Sequence, residues 1–197
     1  MSKAPDPGRA KTRLIPVLGE DGAAQLYARL VRECLDMCTS AALCPVDICC
    51  SPSPDHPFFR QCRQDYPVDL HVQTEGNLGA RMSNAFSSAL RKAETAIMIG
   101  ADCPGLCASD LDSALATLDA GTDIVIGPAK DGGYYLIGMR SHHAAVFEDI
   151  PWSTDGVLAM TQQKMHSQGL SCHYLTVRKD LDTPEDYAVY TRQELKL

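Results

Sequence analysis

Ala96-Ile97-Met98-Ile99-Gly100 runs straight into Ala101-Asp102-Cys103-Pro104, and the reading of this stretch decides the fold. A short apolar run closed by glycine and proline predicts a buried strand. Its carboxyl end carries an acid, and ligands of open α/β sheets gather at the carboxyl ends of strands. Asp102 is therefore a candidate ligand-facing carboxylate. The plainer alternative makes it a turn residue ahead of a helix beginning near Ser109.

Outward from this strand, helical and strand patterns alternate. Leu26, Leu30, Val31 and Leu35 keep a helical period, so Glu20 to about Ala42 is expected to be a helix. Strands are expected at 46–50, 68–72, 123–127, 134–139 and 171–177, with a short helix near Phe58–Arg63. Further helices are expected over 78–93, from Ser109 to Leu118, from near Thr154, and after Pro184, which suits a first helical turn. Such alternation implies an α/β fold with a mostly parallel sheet, made partly mixed by the paired strands around Asp131. No repeat or linker interrupts the chain, and residues 1–197 are expected to form a single domain. The loop at residues 3–13 lacks the usual strand ahead of it, so the first strand is expected to be missing or truncated.

Composition narrows the function. The chain has 197 residues, is 45% hydrophobic and carries a net charge of −7. That acidity argues against nucleic acid as a partner. No apolar run has the length of a membrane span, and the N-terminus lacks a signal-peptide core, so a cytoplasmic location is expected. Nine cysteines include no paired CxxC motif, which speaks against structural zinc. Most are expected to be small core residues in a reducing compartment, with Cys103 the one candidate for a functional role. Homo-oligomerisation is left open.

Five motifs join Asp102. Lys3, Arg9, Lys11 and Arg13 cluster in a proline- and glycine-framed segment, which suits phosphate oxygens although it is not a Walker A loop. Gly76, Leu78, Gly79 and Arg81 lie where a strand passes into a helix, a place where free N–H groups can meet an anion or a base edge. Asp131-Gly132-Gly133-Tyr134 adds a second acid and an aromatic suited to sugar, though Asp-Gly-Gly is also a hairpin turn. Trp152 and Thr154 open a further helix and are candidates for an acceptor pocket. Asp180 and Asp182 precede the last helix, where Asp182 or Thr183 could equally serve as its cap. Mg2+ or Mn2+ on a diphosphate needs only one or two protein carboxylates, and Asp102 with Asp180, Asp182 or Asp131 would supply them. Asp102 and Asp131 are the candidate catalytic acids, and no separate catalytic base stands out.

Taken in order, Lys3 to Leu14, Gly100 to Pro104, Gly127 to Leu136, Trp152 to Thr154 and Asp180 to Asp186 resemble the motifs of a bacterial GT-A-like glycosyltransferase family. That family is called radical-SAM/selenodomain-associated transferase 1, within the nucleotide-diphospho-sugar transferase superfamily. The resemblance spans nearly the whole chain. It implies a three-layer GT-A-like domain that binds a nucleotide-sugar or nucleoside triphosphate with Mg2+ or Mn2+. It further implies Asp102 as metal-binding acid, the Asp180/Asp182 segment as second acidic site, and Lys3, Lys11 and Arg13 on a phosphate loop. The expected activity is glycosyl transfer to a small-molecule acceptor. Nucleotidyl transfer to a phosphorylated small molecule and non-catalytic nucleotide binding are the alternatives. Relatives carry a hydrophobic strand ahead of the phosphate loop, whereas here only Met1-Ser2 precede Lys3.

Overall fold

The computed structural model describes residues 1–194. These form two compact units, and each unit contains chain segments distant in sequence. One unit comprises Met1–Val72, Ala101–Gly105 and the chain from Asp180 onward; the other comprises Gln73–Gly100 and Leu106–Lys179.

The first unit carries a parallel sheet in the order β1-β2-β3, formed by Ser2–Lys3, Val46–Ser51 and Val68–Val72. The front strand, expected to be missing or truncated, is a two-residue strand, with Ser2 opposite Cys50 and Lys3 opposite Ser51. Its ladder continues one step further, since Ala4 N–H donates to the Ser51 carbonyl at 2.7 Å. Helix α1 (Ile15–Ala41) is broken at Gly19, whose φ of 71° is open to a residue without a Cβ. The regular part therefore begins where the apolar period begins, at Glu20. Helix α2 (Pro57–Asp65) is capped by His56, whose Nδ1 accepts the Phe58 N–H.

Two apolar clusters hold this unit together. Ala4, Val31, Leu35, Ile48, Cys50, Phe59, Cys62 and Val68 form the first, and Ala101 packs against it. Leu14, Ala23, Leu26, Leu30, Leu181 and Tyr190 form the second, uniting the front loop, α1 and the C-terminal segment. Helix α6 (Pro184–Glu194) closes the unit.

The second unit is built on a mixed sheet in the order β4-β6-β5-β7. Its strands are Ala96–Ile99 (β4), Ile124–Pro128 (β5), Tyr134–Met139 (β6) and Cys172–Tyr174 (β7). Strand β6 runs antiparallel to both β4 and β5, while β7 is parallel to β5. The Asp131-Gly132-Gly133 turn thus makes a hairpin. Ile124, Ile126, Leu136 and Met139 are fully buried, as continuous apolar strands require when both faces are covered. Helices α3 (Leu78–Ala89), α4 (Ala108–Asp119) and α5 (Val157–Ser167) belong to this unit. Among the described residues no helix is long and apolar enough to cross a membrane.

Beyond shifts of one or two residues, three boundaries after α1 differ from expectation. Helix α3 stops at Ala89, where Leu90 donates to Phe86 and a turn follows. Helix α5 starts at Val157 rather than Thr154, because the Thr154 hydroxyl donates to the Pro151 carbonyl and accepts the Gly156 N–H. That local turn competes with the helix. Strand β7 ends at Tyr174, although the Arg178 N–H still reaches the Pro128 carbonyl at 3.0 Å.

Candidate functional site

In the first unit the front loop leaves β1 and turns at Gly8, where φ is 73°. The Asp6 carbonyl accepts the Arg9 and Ala10 N–H groups, while the Asp6 carboxylate meets His56 Nε2 at 3.1 Å. Tyr27 holds the start of the loop, its hydroxyl accepting the Lys3 N–H and lying 3.2 Å from the Ser2 hydroxyl. Burial pushes the Tyr27 phenol up, so it stays protonated. The loop then reaches Lys11, which adopts φ 47° and ψ 45°. A left-handed lysine is strained, and such strain concentrates at functional positions.

The Lys11 side chain turns inward. Its ammonium lies 2.6 Å from Asp182 and 3.3 Å from Asp102, and only 5% of the side chain is exposed. Burial alone would lower the Lys11 pKa. Attraction to Asp102 and Asp182 more than offsets that, and the net shift is upward. Lys11 is therefore a permanent cation held between two acids, each with close to two-fifths of its side chain exposed. Arg13 reaches Asp182 at 3.7 Å from a largely exposed position. Lys3 and Arg9 are exposed. Of the four cations expected to meet phosphate oxygens, Lys11 is thus paired with acids here, while Lys3, Arg9 and most of Arg13 are exposed.

Two backbone features bring the acids together. Leu181 N–H donates to the Asp102 carbonyl at 2.9 Å, and the Leu181 side chain is buried in the core. Next to it, the Asp186 carboxylate accepts the Asp182 and Thr183 N–H groups, while the Thr183 hydroxyl accepts the Asp186 N–H. Thr183 and Asp186 thus cap α6 reciprocally. Capping leaves the Asp182 carboxylate to Lys11. Among the described residues no group of three His, Cys, Asp or Glu side chains is arranged to hold a metal. Of the expected Asp102, Asp180 and Asp182, the structure draws Asp102 and Asp182 onto the same ammonium.

The second unit holds the remaining candidates. Asn77 caps α3 by accepting the Ala80 N–H, and Arg81 Nε donates to the Gly76 carbonyl at 2.9 Å. Leu78 is exposed, whereas Gly79 is buried. A Cβ on Gly79 would fall 2.3 Å from the Phe147 carbonyl and 2.7 Å from Trp152 Nε1. Gly79 therefore makes room for protein rather than for a ligand. Asp131 is exposed, and its Oδ1 accepts the Gly133 N–H in an Asx turn. Gly132 lies against Asp155, and its carbonyl accepts the Leu158 N–H. Tyr134 and Trp152 pack edge to face with centroids 6.4 Å apart. Burial pushes the Tyr134 phenol up. Thr154 is committed to its local turn.

The sequence reading missed an ion pair in this unit. Arg178 donates to Asp110 at 2.8 Å and also reaches the Cys107 thiol at 3.3 Å. Cys107 is the N-cap of α4, and its N–H donates to Asp110. Desolvation would raise the Asp110 carboxyl, but hydrogen bonds from Arg178 and Cys107 leave it below its ordinary value. The pair spans 68 residues of chain, so no local pattern announced it. All nine cysteines are reduced, and Cys103 is buried.

Similarity to known proteins follows the same outline. No curated protein matches the chain in sequence. A crystal structure of a candidate nucleotide-diphospho-sugar transferase from Desulfovibrio desulfuricans G20 is 33% identical, with a TM-score of 0.89. The match covers 98% of this chain and 84% of that one. CMP:2-keto-3-deoxy-manno-octonic acid synthetase complexed with CTP shares the fold at 12% identity and a TM-score of 0.56, over 85% of this chain and 88% of that one. A mannosyltransferase from Pyrobaculum calidifontis, in complex with GDP-Man and Mn2+, shares it at 16% identity and a TM-score of 0.53, over 84% of this chain and 57% of that one. Residues 34–154 match the family described as uncharacterized proteins conserved in bacteria, DUF2064. The chain belongs to that family, and its fold is the α/β fold of nucleotide-diphospho-sugar transferases.

Proposed function

We propose that the chain is a metal-dependent transferase that takes a glycosyl group from a nucleoside diphosphate-sugar and passes it to a small-molecule acceptor in the cytoplasm. The observation that carries this reading is the pair Asp102 and Asp182, drawn onto one cation by a strained phosphate-type loop. Both acids offer hard oxygen ligands and are exposed enough for an incoming ion to reach. The Lys11 ammonium stands in for such an ion. Two carboxylates suit Mg2+ or Mn2+, which commonly take the rest of their shell from phosphate oxygens and water. When bound, the ion would offset charge developing on the departing diphosphate. Arg13, planar and exposed beside Asp182, is positioned to take a phosphate oxygen pair. Asp102 supplies the principal carboxylate, and Asp182 completes the pair.

The test is a panel of nucleotide-sugars with Mn2+, read by binding calorimetry and by release of nucleoside diphosphate. Asp102→Asn is expected to lower turnover by about 100-fold or more, the scale of losing one preorganised electrostatic group. Equal rates in both proteins would remove Asp102 from the chemistry, and failure of every nucleotide to bind would overturn the reading.

One observation favours a second reading, nucleotidyl transfer from a nucleoside triphosphate. The CTP-bound synthetase is matched over 88% of its length, against 57% for the mannosyltransferase. Release of pyrophosphate in place of nucleoside diphosphate would select it.

A further inference from the structure

Lys11 is buried more completely than either acid it serves. Its side chain is 5% exposed against 40% for Asp102 and 38% for Asp182. The lysine contacts both carboxylates, and its backbone is held in an unfavourable left-handed conformation to do so. With the ammonium in place, one of the two negative charges is offset, and a free divalent ion gains less by approaching the pair than it would with the lysine removed. An ion entering between the acids must also displace a tethered cation that cannot diffuse away. A displaced ammonium without an anion to receive it would be left desolvated and unpaired, which is costly. A diphosphate removes that obstacle, since it offers anionic oxygens to Lys11 while bringing oxygen ligands for the metal.

Resting on the proposed donor class, we infer that Lys11 is a built-in counter-cation that makes the site selective for the metal–diphosphate complex over the free metal ion. Lys11 leaves the Asp102–Asp182 pair when the complex enters and pairs, still as an ammonium, with a phosphate oxygen. The exchange involves only ion pairs, and no covalent bond forms or breaks. It gives the loop two partners in turn, acids when the site holds no ligand and phosphate when it does.

The experiment measures Mn2+ alone, without nucleotide, by the loss of its free-ion electron paramagnetic resonance signal on titration with protein. Wild type is compared with Lys11→Met, Lys11→Gln and Arg13→Gln. Both Lys11 variants are expected to bind Mn2+ roughly tenfold or more tightly than wild type, because two uncompensated carboxylates face the ion. Arg13→Gln, which removes a solvent-screened charge farther from the pair, is expected to change the affinity less than threefold. Thermal melting supplies a second readout that also verifies folding, and Mn2+ is expected to raise the melting temperature of the Lys11 variants more than that of wild type. Equal or weaker Mn2+ binding by both Lys11 variants overturns the inference. Calorimetry with nucleoside diphosphate separates the two readings. Retained nucleotide binding with no gain in Mn2+ affinity sinks the counter-cation alone, whereas loss of nucleotide binding in wild type sinks the donor class with it.

Discussion

Gly132 holds φ at 89°, and a methyl group on its Cα would fall 2.1 Å from the Asp155 carbonyl. Both the backbone conformation and the space exclude a side chain. Gly132→Ala is expected to destabilise the protein by about 3 kcal/mol in urea unfolding, combining left-handed strain with overpacking. Gly79 has the same logic without the unusual φ, because Phe147 and Trp152 occupy the place of its Cβ. The glycine was legible in the sequence, but its reason was not, since Trp152 lies 73 residues further along. Asp110 illustrates the electrostatic counterpart. Asp110→Ala leaves the mostly buried Arg178 without its carboxylate, and a loss of about 3 kcal/mol is expected. Double-mutant analysis with Arg178→Met checks this, because removing both charges should cost less than the sum.

Elements that carry their own start and stop signals could be read from the chain, while those that depend on distant partners could not. Strand β4, the β5–β6 hairpin and helix α6 follow from local apolar runs, Asp-Gly-Gly, and Asp-Thr-Pro-Glu-Asp respectively. Strand β1 was hidden because two residues form no pattern, and only pairing with β2 makes them a strand. The segment before α6 carried two readings at once, cap and acid site, and the structure divides them between neighbours. Thr183 with Asp186 caps, and Asp182 faces Lys11. Thr183→Ala is expected to cost about 1 kcal/mol, measured by urea denaturation, with the Lys11–Asp182 contact retained because Asp186 still accepts the Asp182 N–H. The acid pair itself was legible only as alternatives. Lys11 meets Asp102 and Asp182 across 91 and 171 residues, separations that no periodicity encodes.

At the scale of the molecule, acid sensitivity follows from carboxylates held below their ordinary value. Asp110 and Asp123 are both held below the ordinary aspartate value, Asp123 because Ser171 donates to it from hydroxyl and backbone. On acidification the unfolded chain takes up protons first, so their stabilisation is present above pH ~4 and is lost as pH falls through the depressed folded values. Melting temperature is expected to be nearly constant from pH 7 to about pH 5 and to fall below pH ~4, with a shallower fall in Asp110→Asn. The first unit is drawn from three separate stretches of chain, the last beginning at Asp180. A ribosome therefore delivers Lys11 and Asp102 long before their common partner. Until residue 182 emerges, Lys11 has one acid instead of two, and the Leu14 cluster lacks Leu181 and Tyr190. The arrangement around Lys11 is thus complete only after residue 182 has emerged, and until then a nascent chain carries its front loop without the anchor that gives it a shape.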